Sequence, residues 1–201
     1  MEGFPYVVHS PPADGAWCII QASRFIEKKG LDITLKAFAE FRKEYPKAEL
    51  ILAGEGSLEG QLKDLGRTLG VEGSVRYPGF LNQQELAAAF ASAHFFLHPS
   101  QKTMAGDQEG VPNSMLEAMA SGLPVIATLH GGIPEAVHSG YDGLLVPERD
   151  TAALASALLE IAEDSVTYET FSRNAAQSVR ENFEQGRSIA RLEGFYRELI
   201  N

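Results

Sequence analysis

The chain has 201 residues, 44% hydrophobic and 22% charged, enough for one generous domain or two small ones with a substantial core. Its formal net charge of −10 argues against nucleic acid as a partner, because neutralising phosphates requires a basic face. The single Cys18 rules out an internal disulfide and a cysteine-based zinc site. No apolar run approaches the roughly 20 residues that span a bilayer, and the start Met1-Glu2-Gly3 is no signal peptide, so a cytoplasmic location is expected.

Residues 1–15, with His9-Ser10-Pro11-Pro12, read as a loop or linker feeding a first strand, and residues 16–201 as one domain. From there short apolar runs alternate with longer amphipathic segments, the signature of repeated βα units. The strand candidates are Ala16–Gln21, Ala48–Ala53, Val75–Tyr77, Ala93–His98, Pro124–Ala127 and Gly143–Val146. Most are too short and too apolar to be anything but buried strands, and Cys18 reads as an inert residue of the first. Between the first two, Leu31, Leu35, Phe38 and Tyr45 mark a helical face that Pro46 closes. Further helices are expected over Leu58–Leu69, Gln83–Ser92, Thr151–Glu163 and Tyr168–Asn182, with a last one near Arg187–Ile200. The fold class is therefore α/β: a doubly wound, Rossmann-like parallel sheet of about six strands with extra C-terminal helices.

Ligands of such sheets sit beyond the carboxyl ends of the strands. Three loops there carry polar residues. After the first strand, Arg24 and Lys29 lie around a turn; they suit a diphosphate, and equally suit a solvated surface pair. After the second comes Ala53-Gly54-Glu55-Gly56, where a tight turn is favoured over close approach to a ligand. It lacks the third glycine of a dinucleotide fingerprint, which makes an NAD-dependent dehydrogenase unexpected.

The long loop Pro99–Asn113 leads into Glu109-Gly110-Val111-Pro112-Asn113-Ser114 and then Glu117, two carboxylates beside a helix start. Such a junction suits a phosphate or a polyhydroxyl ligand. Ser114-Met115-Leu116-Glu117 also fits a capping box, so Glu117 is open between helix cap and ligand contact. His94 and His98 read as strand-end residues, and His130 as a residue that more often lies away from a pocket than in it. No metal-ligand spacing and no nucleophile elbow appears, so neither a metal site nor a serine hydrolase is indicated.

Arg24-x4-Lys29-Gly30, Ala53-Gly54-Glu55-Gly56, Glu109-x7-Glu117 with Gly122-Leu123-Pro124-Val125, and Gly131-Gly132-Ile133-Pro134-Glu135 occur in this order. The set resembles the C-terminal, donor-binding domain of retaining GT-B glycosyltransferases of family 4, the glycosyl transferases group 1, from about Trp17 onward. The resemblance implies a hexosyltransferase using a UDP- or GDP-sugar, without a metal or other cofactor. Gly106-Asp107-Gln108-Glu109-Gly110-Val111-Pro112 is similar to enzymes of exopolysaccharide assembly.

By that resemblance Arg24 and Lys29 hold the donor diphosphate, Glu117 the ribose, and Glu109 the transferred sugar. Gly54 and the main chain of Gly110, Val111, Pro112 and Asn113 line the donor, and the loop at Phe80 faces the base. Retention by same-face attack and by a covalent Glu109 intermediate both stay open. The family's N-terminal acceptor half lies outside these residues, so any membrane contact would run through it and the chain alone is expected to transfer little. Ser23 stands where the family usually has glycine. Rival readings are a non-catalytic nucleotide-binding or regulatory module and a sugar-phosphate epimerase or phosphorylase of similar architecture.

Overall fold

A computed structural model describes residues 3–183 together with 196 and 197. The expected terminal helix near Arg187–Ile200 therefore falls almost wholly outside the described residues. All six expected strands form: β1 (Cys18–Ala22), β2 (Glu49–Ala53), β3 (Val75–Gly79), β4 (Phe95–His98), β5 (Val125–Thr128) and β6 (Gly143–Val146). The helices are α1 (Leu31–Glu44), α2 (Glu59–Thr68), α3 (Gln83–Ser92), α4 (Asn113–Ala120), α5 (Thr151–Glu163) and α6 (Ser165–Asn182). Among the described residues no helix is long and apolar enough to cross a membrane.

The strands pair in parallel in the order β3-β2-β1-β4-β5-β6. Ile20 stands beside Ile51 and Phe96 on one face, and its neighbour Ile19 beside Leu50 and Phe95 on the other, so the central strands carry apolar residues on both faces. One face packs Ile19, Leu50, Phe95 and Ile126 under α1, α2 and α5 through Phe38, Leu62 and Leu158. The opposite face packs Ile20, Phe96 and Val125 under α3 and α4 through Phe90, Met115 and Met119. Continuous apolar strands are what a sheet covered twice requires.

Helix α6 closes the bottom of the sheet. Asp164 caps it through the Val166 and Thr167 N–H groups, and its first half joins one core through Tyr168 and Phe171 while Ala175 and Val179 join the other. The Tyr168 hydroxyl donates to the His94 carbonyl at 3.0 Å, just before β4. Burial of this ring pushes the phenol well above its usual value, so it acts as a neutral donor. Residues ahead of β1 are non-regular, yet Phe4 is buried against Phe90, and the Val7 N–H and His9 ring both bond the Ser121 carbonyl.

Strand order reverses between β1 and β4. Their carboxyl-terminal loops diverge there and leave a crevice, the position where open parallel sheets bind ligands.

Candidate functional site

Two of the expected site residues meet at that crevice. The β1–α1 loop makes a short turn over Glu27–Lys29, and the Lys29 carbonyl accepts the Gln21 side-chain amide at 2.8 Å. This points the Lys29 side chain inward, where it is mostly buried and pairs with the equally buried Glu109 of the β4–α4 loop. The two residues are 80 positions apart in sequence. An ion pair this shielded holds two charges where water screens them little. Neighbouring Lys28 pairs with Asp107 of the same long loop at 3.2 Å.

Arg24 lies elsewhere on the rim. It is exposed, makes no ion pair among the described residues, and borders a cleft of about 580 Å³ with Gly54, Glu55, Phe80, Leu86 and Ser114. That volume suits a small-molecule site. Gly54 has φ 132°, and a Cβ there would sit 2.0 Å from the Ser23 carbonyl oxygen. The residue is thus demanded by a close approach of two loops. Phe80 is 75% exposed at the far wall, with its N–H turned toward the Glu55 carboxylate. The cleft wall does not include Lys29, Glu109 or Glu117. Arg24 and Lys29 therefore stand at different parts of the crevice and face different surroundings.

The capping box that Ser114-Met115-Leu116-Glu117 also fitted does not form. Helix α4 starts at Asn113, after Pro112, two residues earlier than a Ser114 cap would place it, and Ser114 is already inside it. Its hydroxyl instead donates to the Ala22 carbonyl at 2.7 Å, pinning the helix start to the end of β1. Proline can precede a helix without a lost N–H, so the chain enters α4 with no side-chain cap. A real capping box sits at Asn82 and Glu85 on α3, away from the acidic motif.

The Glu117 side chain makes no hydrogen bond or ion pair among the described residues. It is half-buried, and burial pushes its carboxyl above the usual carboxylate range. The N–H groups of Gly110, Val111 and Asn113 likewise have no acceptor among the described residues. Pro112 is buried while Asn113 and Gly110 are exposed, so the loop presents main chain outward.

The histidines behave less uniformly than the sequence suggests. His98 ends β4 fully buried, with neither ring nitrogen hydrogen-bonded. Burial, then the Lys29 charge, then His130 lower it to about 3, so it stays neutral. His130 is buried beside the site rather than away from it, and its Nε2 accepts the Glu109 N–H at 3.0 Å. The Gly131-Gly132 step after it was the available signal, since paired glycines permit close backbone contact. Among the described residues no group of three or more His, Cys, Asp or Glu is placed to hold a metal.

The model of the family described as glycosyl transferases group 1 matches residues 8–178. The amylovoran biosynthesis glycosyltransferase AmsK of Erwinia amylovora is 38% identical over 145 residues, 72% of this chain and 36% of AmsK. The C-terminal domain of LpcC, a glycosyl transferase group 1 family protein of Francisella tularensis, shares the fold at a TM-score of 0.79. It is 21% identical, with 92% of this chain and 97% of that one covered. Anabaena HepE, solved with UDP and glucose, gives a TM-score of 0.77 at 25% identity over 90% of this chain and 48% of HepE. The chain spans about two fifths of the length of the curated relatives it matches. With the sheet order, the crevice and the two-glutamate loop in place, these matches identify the chain as a C-terminal domain of the glycosyl transferases group 1 family.

Proposed function

We propose that this domain binds the donor of a retaining glycosyltransferase, a UDP- or GDP-sugar, in the crevice between β1 and β4. The observation that carries this is the meeting of Lys29 and Glu109 at the strand-order reversal, beside a cleft whose only unpaired cation among its walls is Arg24. The base occupies the cleft against the main chain at Phe80, and the ribose extends past the cleft wall, its hydroxyls donating to Glu117. A half-buried carboxylate without a partner gains most from two such donors. The diphosphate lies between Arg24 and Lys29, and the transferred sugar donates hydroxyl protons to Glu109.

Catalysis in this reading is electrostatic. Negative charge builds on the leaving diphosphate as the glycosidic bond breaks, and two preplaced cations lower that barrier. Unpaired N–H groups at Gly110, Val111 and Asn113 add fixed dipoles to the same end. Arg24 and Lys29 supply the positive charge, and the reading invokes no resident cofactor. The acceptor is read by the N-terminal half of the family's two-domain architecture, so this chain transfers little by itself.

Calorimetric titration with UDP-glucose, GDP-mannose and ADP-glucose tests the proposal. One of them should bind, and Glu117→Ala should abolish that binding with the fold intact by circular dichroism. Silence from all three donors would sink the donor-site reading. Efficient transfer by the 201 residues alone would sink the claim that the acceptor half is needed.

A further inference from the structure

The turn at 130–132, just after β5, grips Glu109 by its main chain from both sides. The His130 Nε2 accepts the Glu109 N–H at 3.0 Å, and the Gly132 N–H donates to the Glu109 carbonyl at 3.2 Å. Gly131 has φ 53°, and a Cβ there would fall 1.9 Å from that carbonyl oxygen, so the contact admits no side chain. The grip continues outward. The other His130 nitrogen, Nδ1, lies 2.6 Å from Glu148 Oε1, just beyond β6. The second Glu148 oxygen accepts the Lys102 N–H at 2.8 Å, at the start of the same long loop.

These contacts determine the protonation of the ring. Nε2 faces an amide N–H and must be the unprotonated acceptor, so Nδ1 carries the proton and donates to Glu148. Burial alone would raise the Glu148 carboxyl, but the bonds from Lys102 and His130 outweigh it and leave it below its usual value. Glu148 therefore meets the ring as an anion. One carboxylate ties down the loop at Lys102 directly and at Glu109 through the histidine.

We propose that Glu148 and His130 are positioning residues that hold the Glu109 carboxylate where it meets the transferred sugar. Neither touches the donor; both act through the Glu109 peptide. The inference rests on the donor-site reading for its consequence in binding, whereas the tautomer it requires is independent of any ligand. Glu148→Gln is the sharpest probe. A carboxamide has one acceptor where the carboxylate uses two. With its NH2 toward His130 it selects the Nε2–H tautomer, which opposes the Glu109 N–H donor to donor. His130→Gln and His130→Asn separate the two contacts. Gln reaches the Nε2 position with a carbonyl oxygen and keeps the Glu109 bond; Asn reaches only the Nδ1 position and loses it.

The test combines two measurements on the 201-residue chain and these three variants. Nitrogen chemical shifts of the labelled His130 ring should show Nδ1 protonated in the parent and Nε2 protonated in Glu148→Gln. Titrations with UDP and UDP-glucose, and with GDP and GDP-mannose, should give a sugar-to-nucleotide affinity ratio. That ratio should fall about tenfold in Glu148→Gln and His130→Asn, the loss expected of a displaced charged hydrogen-bond acceptor. Affinity for the bare nucleotide should hold, and His130→Gln should keep most of the ratio. A parent ring protonated at Nε2 would overturn the proposal, as would an unchanged ratio in both disrupting variants. If the parent binds no nucleotide, the donor-site reading fails, and the ring shifts still decide the positioning pair.

Discussion

The two ends of the crevice are prepared in opposite ways. Arg24 on the cleft wall is exposed and unpaired, and the Glu117 carboxylate, outside that wall, has no hydrogen-bond donor among the described residues, so a ligand meets groups that are already available. At the loop end Lys29 and Glu109 are mostly buried and satisfy each other. A ligand there must displace one partner from the other. In the proposed binding mode the donor's diphosphate would take Lys29 and its sugar Glu109, so both charges would be re-satisfied in one step. The open end can start recognition, and the closed end rewards only a ligand carrying both an anion and a polyol.

The largest expected effect breaks the closed end. Lys29→Ala leaves Glu109 as an uncompensated, mostly buried carboxylate and should destabilise the fold by about 3 kcal/mol. Urea unfolding should also show the double variant Lys29→Ala/Glu109→Gln recovering a large part of that loss; no recovery would mean the pair is not what stabilises this end. Arg24→Ala sharpens the contrast from the other side. It should lower donor affinity about tenfold, as loss of one charged contact to a phosphate does. Because Arg24 is exposed and unpaired, stability should move by less than about 0.5 kcal/mol. Equal destabilisation by Arg24→Ala and Lys29→Ala would erase the distinction between the two ends.

The smallest effect concerns stability at Glu117. Burial raises its folded-state pKa above the unfolded one, so its protonated form is the one the fold prefers. The contribution is fully present below the ordinary carboxylate range and is lost as pH rises through the raised value. Glu117→Gln should therefore be at least as stable as the parent at neutral pH, with the difference vanishing in acid. Thermal unfolding at the two pH values reads this directly. Donor affinity should meanwhile fall, because the carboxamide accepts fewer ribose hydroxyls. A helix-cap residue would show the reverse pattern, with stability lost and affinity kept.

Much of the architecture was legible in the chain itself. The six strands and the helices given bounds from the sequence lie where apolar runs and helical periods place them, with ends displaced by at most three residues. Strand β1 starts at Cys18 rather than Ala16, and α6 begins at Ser165 because Asp164 caps it. The sequence left Glu117 open between a cap partner of Ser114 and a ligand contact, and the packing removed the cap. Pro112 starts the helix early, and the Ser114 hydroxyl finds a carbonyl 92 residues away. His130 was underweighted for the same kind of reason, since both of its partners lie far off in sequence.

Hydrophobic periodicity is a local property, and it determined the α/β class, the element order and the loops that reach the ligand-binding rim. The ordered set of Arg24, Lys29, Glu109 and Glu117 motifs determined the family. Which charges meet and which stay free was decided only by the tertiary structure. Lys29 pairs with Glu109 while Arg24 does not, because the strand-order reversal brings the β4–α4 loop beside the β1–α1 loop, and the turn over Glu27–Lys29 aims only the far end of that loop at the carboxylate. A side chain's charge is written in the sequence; its burial and its partner are set by how distant segments pack.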